Sequence, residues 1–513
     1  MFSFLGALAI LILGYVFYGK WVDRYFGADP DRTTPAHSLQ DGVDFVPLPW
    51  HRIFLIQFLN IAGLGPIFGA IMGALYGPAA FLWIAFGCVL GGAVHDYFSG
   101  MLSVRHQGQS IPEIVGHYLG EGSRKLMRGF SVILLVLVGV VFMMGPAGLL
   151  ANLGMEGVFA NKSFWLAIII TYYFCATVLP IDKVISRIYP LFGLTLLIMA
   201  FGIGGTMLVK GLPIPELTDT HLHHPGGLPT WPLLFITIAC GAISGFHATQ
   251  SPIMSRCLAN EAYGRHVFFG AMVAEGVVAL IWAAAAMSFF PDGLVGLKAV
   301  LDQGGAGLVV KDVSVGLMGS IGGMLAILGV IACPVTSGDT AFRSVRLIFA
   351  DAMKLNQTSV TNRLMLAVPI FALGFALTFI DFNIVWRYFA FSNQALATIV
   401  LWAAAMYMAH QGKAHWLVSL PATFMTAVCT TYILMAPEGL GWASSTAWPL
   451  GLVAAAASLV WFLARARTVP SQQSQQSQQS QQSQQSQQSQ QSQQSQQSQQ
   501  SQQQKGTPYE PAG

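Results

Sequence analysis

The chain has 513 residues, 54% of them hydrophobic and only 9% charged, with a formal net charge of +3. Soluble domains carry roughly 25% charged residues, so a water-soluble globular fold is excluded, and so small a net charge leaves no footprint for nucleic acid. Apolar stretches of about 20 residues recur along the chain, the length that crosses a bilayer core, which predicts an all-α polytopic membrane protein. No run shows the short alternating segments of a β-barrel.

Hydropathy places thirteen predicted spans in chain order, at 2–18, 53–76, 79–102, 130–149, 164–179, 188–209, 232–253, 267–290, 315–335, 364–380, 388–408, 416–435 and 448–463. No basic segment precedes the first, which reads as a retained span rather than a cleaved signal. With the N-terminus outside and the spans alternating, four-fifths of the 25 lysines and arginines fall on cytoplasmic connections, and the C-terminus is inside. The six cysteines are scattered, without a C-x-x-C pair, and read as small buried hydrophobes rather than disulfides or zinc ligands.

The second span carries "NIAGLGP" at its centre, with Asn60, Ala62, Gly63, Gly65 and Pro66. Glycine and proline weaken a helix, and proline removes a donor. In hydrocarbon such a break is tolerated only where it is buried in protein or lines a wet cavity. The seventh span carries the same device in "SGFHATQSP", with Ser244, Gly245, His247, Gln250 and Pro252. The two spans are five apart and run in opposite directions, which predicts a 5+5 inverted repeat with discontinuous helices around a midplane site. The chain then divides into a leading helix and loop (1–52), the transport core (53–409), two trailing helices (410–464) and a tail (465–513). In that tail "SQQ" repeats eleven times from Ser471, a composition expected to stay disordered in the cytoplasm.

Polar groups at membrane depth are costly, and each is a functional candidate. His247 lies in the second break, where it either carries a coupling proton or braces a freed carbonyl. Glu275 stands alone in the eighth span, where it could bind a proton, pair with His247 or serve as a structural carboxyl. Asp96, beside His95 near the cytoplasmic end of the third span, suits a gate or an ion pair with the basic loop. Thr336 and Ser337, with Asp339 and Thr340, close the ninth span and offer oxygen ligands to Na⁺ or caps to a following helix. Asn393 and Gln394 read as an interhelical hydrogen-bond pair or part of a cavity wall. "HLHH" at His221 to His224 reads as a solvated outer loop in preference to a metal site.

The segments "DGVDFVP", "NIAGLGPIFG", "GGAVHDY", "SGFHATQSP", "LANEAYGRHVFFGAMVAEG" and "FSNQALA" resemble the carbon starvation protein A family of bacteria, from about Phe2 to Leu463. The resemblance implies the amino acid–polyamine–organocation type of transporter fold, and uptake of peptides or, as in some relatives, of pyruvate with protons. It assigns no substrate residue.

The expectation is a secondary transporter of the bacterial inner membrane, coupled to H⁺ or alternatively Na⁺, with no cofactor. Its partners would be a peptide or small carboxylate and the lipid bilayer. Asn60, Ala62, Gly63, Gly65, Ser244, Gly245, His247, Asn393 and Gln394 would form the substrate site. His247 and Glu275 would carry the proton. The rival is a nutrient sensor on a transporter fold. Neither H-E-x-x-H nor G-x-S-x-G occurs, so an enzyme is not expected.

Overall fold

The computed structural model describes residues 1–468 except 43, 154–155, 179–181, 220–221 and 356–358; the side chains of 177–178, 182–191, 321, 325–327 and 351–352 are also outside it. The SQQ tail and His221 therefore lie outside the described residues. Among the described residues the structure is helical, with no strand beyond one isolated bridge between Leu48 and Leu258.

The helices run α1 (Phe2–Phe26), α2 (Trp50–Ile61), α3 (Gly65–Tyr76), α4 (Ala79–Arg105), α5 (Ile111–Leu119), α6 (Glu121–Ala151), α7 (Lys162–Val178) and α8 (Asp182–Val209). Then follow α9 (Thr230–Thr237), α10 (Gly245–Ser255), α11 (Glu261–Phe289), α12 (Gly293–Met353), α13 (Val360–Leu377), α14 (Phe382–His410), α15 (Trp416–Met435) and α16 (Ser444–Thr468).

Among the described residues, eleven helices are long and apolar enough to cross a bilayer, or twelve when the bent pair α2–α3 is one span. Hydropathy gave about thirteen. The differences fall where helix continuity fails or runs on. The seventh predicted span is two short helices, α9 and α10, on either side of a break. Helix α7, Lys162–Val178, is 17 residues long where it is described. Around the ninth predicted span, α12 supplies two long apolar segments, Gly293–Ser320 and Gly322–Ala350, and hydropathy had found one. They meet at Gly319, whose φ of 70° only glycine adopts freely, so the chain turns there without strain.

Both predicted breaks are present. Helices α2 and α3 meet at a 57° bend across Ala62–Leu64. Pro66 sits in the first turn of α3, where a missing N–H costs nothing. Helices α4, α6, α11 and α14 are mostly buried and enclose the breaks, whereas α1, α13 and α16 show most of their apolar surface outward, as lipid-facing helices do. The breaks touch each other. A Cβ on Gly65 would sit 2.2 Å from Cys240 Sγ, so only glycine lets α3 cross the α9–α10 connection this closely. A Cβ on Gly245 would meet the Asn393 carbonyl oxygen at 2.4 Å, which presses α10 onto α14.

Candidate functional site

A broken helix leaves backbone donors and acceptors unpaired at each new end, and these need partners where water is excluded. Side chains from unbroken helices supply them. At the start of α10, the Phe246 amide donates to Asn393 Oδ1 at 2.7 Å, and Ser244 Oγ donates to the same oxygen at 3.2 Å. At the end of α9, Gln394 Nε2 donates to the Phe235 carbonyl at 3.0 Å, and Trp83 Nε1 to the Ile238 carbonyl at 2.9 Å. Two adjacent amides on α14 thus hold both ends of one break. At the end of α2, the Leu59 carbonyl faces Ser337 Oγ at 3.2 Å and Cys333 Sγ at 3.4 Å.

Thr336 and Ser337 do not cap a following helix, contrary to one expectation. Helix α12 continues past them to Met353, and both hydroxyls reach back to the Cys333 carbonyl, at 2.8 and 3.1 Å. Pro334 removes a donor from that turn, which leaves hydroxyls and carbonyl oxygens gathered beside the first break. Asp339 is buried beside them, with Tyr172 donating to it at 3.2 Å.

The ionisable groups converge on the second break. His247 on α10, Asp96 and His95 on α4 and Glu275 on α11 are all fully buried. Asp96 Oδ2 lies 2.8 Å from His247 Nδ1, and Asp96 Oδ1 lies 2.8 Å from His95 Nδ1. Asp96 therefore pairs with two imidazoles deep in the bundle and not with the basic loop at the end of its helix. Because a carboxylate only accepts, Nδ1 of His247 carries a proton and Nε2 points the other way. Nε2 stands 3.3 Å from Glu275 Oε2, ion-pair distance but off hydrogen-bonding geometry, and neither Glu275 oxygen has another partner among the described residues. A neutral ring facing an ionised Glu275 would set two acceptors against each other in a dry site. One further proton, on Nε2 or on Glu275, removes that conflict.

Helix α4 is wound as a π-helix over Trp83–Gly92, just before His95 and Asp96. The wider turn brings Gly92 against the break, where a Cβ would lie 2.2 Å from the Ala242 carbonyl oxygen. Such insertions often mark functional positions in helices. Cys240, read from sequence as a plain hydrophobe, belongs to the site: its sulfur, a His247 nitrogen and a Glu275 oxygen lie within 4.8 Å of one another. Its thiol accepts from Asn393 Nδ2 at 3.4 Å. Of the predicted substrate residues, Asn60, Ala62, Gly63 and Gly65 are buried at the first break and Ser244 and Gly245 at the second. In the connection between α8 and α9, His224 accepts from the Gly226 amide at 3.0 Å and packs on Tyr76, 4.8 Å between ring centroids.

Two touching discontinuous helices, enclosed by long apolar ones and holding buried ionisable groups, define a polytopic membrane transporter fold. The same fold is found in the manganese transporter of Eremococcus coleocola, at a TM-score of 0.52 and 11% identity over 84% of this chain and 99% of that one. The model of the carbon starvation protein CstA family matches residues 1–152, 131–303 and 295–432, and the chain belongs to that family. An uncharacterized membrane protein of Haemophilus influenzae is 43% identical over 56% of this chain and 91% of its own length. The peptide transporter CstA of Escherichia coli is 25% identical over 83% of this chain and 79% of its own. The pyruvate/proton symporter BtsT of Escherichia coli is 28% identical over 56% of this chain and 49% of its own, so this chain matches about half of that protein.

Proposed function

We propose that the chain is a secondary active transporter of the bacterial inner membrane that takes up a peptide or a small carboxylate such as pyruvate together with a proton. The carrying observation is the buried line His95–Asp96–His247–Glu275, in which His247 Nε2 and an unpartnered carboxylate face each other at 3.3 Å. His247 rides on the half-helix α10, and Asp96 and Glu275 ride on the continuous helices α4 and α11. Movement of α10 against them changes which carboxylate the ring meets and so couples proton uptake to the opening of the site. The substrate would lie against the breaks, at Asn60, Ala62, Gly63, Gly65, Ser244 and Gly245. Asn393 and Gln394 have their amides engaged on the second break and enter as its braces. Asp96 would set the His247 tautomer and gate proton access.

Two features support the reading beyond the fold: the chain's family includes peptide transporters, and one relative is a proton symporter. Thr336 and Ser337 beside the Leu59 carbonyl are the place for Na⁺ if that ion is used instead. The N-terminus would be outside and the C-terminus cytoplasmic. Uptake of labelled pyruvate and peptides into proteoliposomes under imposed proton or Na⁺ gradients tests this. His247→Gln should retain substrate binding and lose accumulation driven by a pH gradient. Unchanged proton-driven uptake would remove His247 from the coupling, and binding without uptake under either gradient would indicate a sensor.

A further inference from the structure

The motif "DGVDFVP" lies in the connection between α1 and α2. Its Asp41 carboxylate accepts from the Asp44 and Phe45 amides, both at 2.9 Å. Two limbs of the connection contact the segment that leads from α10 into α11. In the limb Asp44–Leu48, the Asp44 carbonyl meets Cys257 Sγ at 3.8 Å and the Leu48 amide donates to the Cys257 carbonyl at 3.1 Å. The Phe45 ring lies under the Arg256 guanidinium, 5.3 Å from its centroid. In the limb Gly27–Arg32, the Pro30 carbonyl accepts from Asn260 Nδ2 at 2.9 Å, and the Asp29 amide donates to Glu261 Oε2 at 2.9 Å.

Glu261 is where these contacts meet. Its carboxylate is fully buried and takes a two-pronged bond from Arg105, Nε to Oε1 at 2.7 Å and Nη2 to Oε2 at 2.8 Å. Arg105 Nη2 also donates to the Gly27 carbonyl at 2.7 Å, and Arg32 Nε stands 3.8 Å from Glu261. Paired bonds of this kind are strong and fix orientation. One carboxylate, at the start of α11, therefore ties together the end of α4, the first limb and the segment leading out of α10.

We propose that these two limbs are a strap across the end of the His247 half-helix and that the Arg105–Glu261 pair is its fastening, so that opening the site toward that face requires the pair to break and both limbs to lift. The strap explains why the motif sits outside the transport core. It acts on the one half-helix that must swing. It rests on the transporter reading for its purpose, but the contacts can be tested without substrate.

Hydrogen exchange with mass-spectrometric readout on the full-length protein in nanodiscs tests it. Glu261→Gln keeps the shape and loses the charge. Amides of 27–32, 44–48 and 245–258 should exchange at least about tenfold faster and together, because strap and half-helix open as one unit, while α6 and α14 keep their protection. Equal protection in the variant, or faster exchange in only one of these segments, would overturn the proposal. Should Glu261→Gln be too unstable to purify, Asn260→Ala removes the bond to Pro30 together with the cap that Asn260 Oδ1 gives the Ala262 amide, and about threefold faster exchange in the same segments is expected. Strap and half-helix opening together with no uptake of any substrate would refute the transporter reading and leave the strap standing.

Discussion

Asn393→Ala isolates the brace on the second break. The substitution removes the acceptor of the Phe246 amide, a 2.7 Å bond to a fully buried residue. Ser244 Oγ loses the same acceptor but keeps Cys240 Sγ at 3.7 Å, so its loss is smaller. Leaving one buried donor unpaired costs about 1–3 kcal/mol, and the weakened Ser244 contact puts the sum toward the upper end. At about 2–3 kcal/mol the local opening equilibrium rises roughly 30- to 150-fold, since 1.4 kcal/mol is a factor of ten. Hydrogen exchange of the amides at 244–250 reads this directly, and the rest of the bundle should be unaffected. Asn393→Asp separates capping from packing. It keeps an oxygen in front of the Phe246 amide, at a helix N-terminus that favours negative charge, and should restore most of the protection. Wild-type exchange at 244–250 in Asn393→Ala, or no recovery in Asn393→Asp, would refute the account of Asn393 as a helix cap supplied from another helix.

Gly65→Ala should lower the unfolding temperature measurably, because its Cβ would overlap Cys240 Sγ at 2.2 Å, an overpacking cost of about 1–3 kcal/mol. Adding Cys240→Gly should recover part of that loss, and a strictly additive double variant would show that the two breaks do not press on each other. Ser337→Ala should speed exchange around the first break by up to about tenfold, the worth of one net hydrogen bond to the Leu59 carbonyl; if Na⁺ is used, its stimulation of uptake should fall as well. At the surface helix α5, burial raises the Glu113 carboxyl, but Arg128 and Arg124 outweigh it and hold it below its ordinary 4.5. A depressed carboxyl stabilises the fold above its unfolded value and loses that contribution as pH falls through the lowered one. Attachment of α5 to α6 should therefore loosen as pH falls below the ordinary carboxyl value of 4.5, read by exchange at 111–119. Glu113→Gln should abolish that dependence.

Much of the molecule follows from local signals. Hydropathy alone gives a helical membrane protein, because each crossing helix satisfies its own backbone and must present about 20 apolar residues to lipid. Both breaks were legible for the same reason: Gly65–Pro66 and Gly245 cannot sit comfortably in an uninterrupted helix. His247 and Glu275 were visible as costly groups at depth, and Asn393 with Gln394 as an interhelical pair. Spans were harder to count. A break splits one apolar run into short helices, and a left-handed glycine such as Gly319 lets a second long apolar segment follow the first unseen.

Apart from the pairing of Glu275 with His247, partnership lay beyond the sequence. Asp96 and His247 are 151 positions apart, and nothing in either segment says that one carboxylate oxygen will face that ring. The same holds for Cys240 against Gly65, for Asn393 on the start of α10, and for Glu261 under the strap. By itself the sequence determined the class of protein, the two broken helices and which polar groups stand where they are costly. Only the tertiary structure decided which of those groups meet. Burial and helix breaking act on each residue where it stands in the chain, whereas a hydrogen bond between distant helices exists only once their packing sets them within 3 Å.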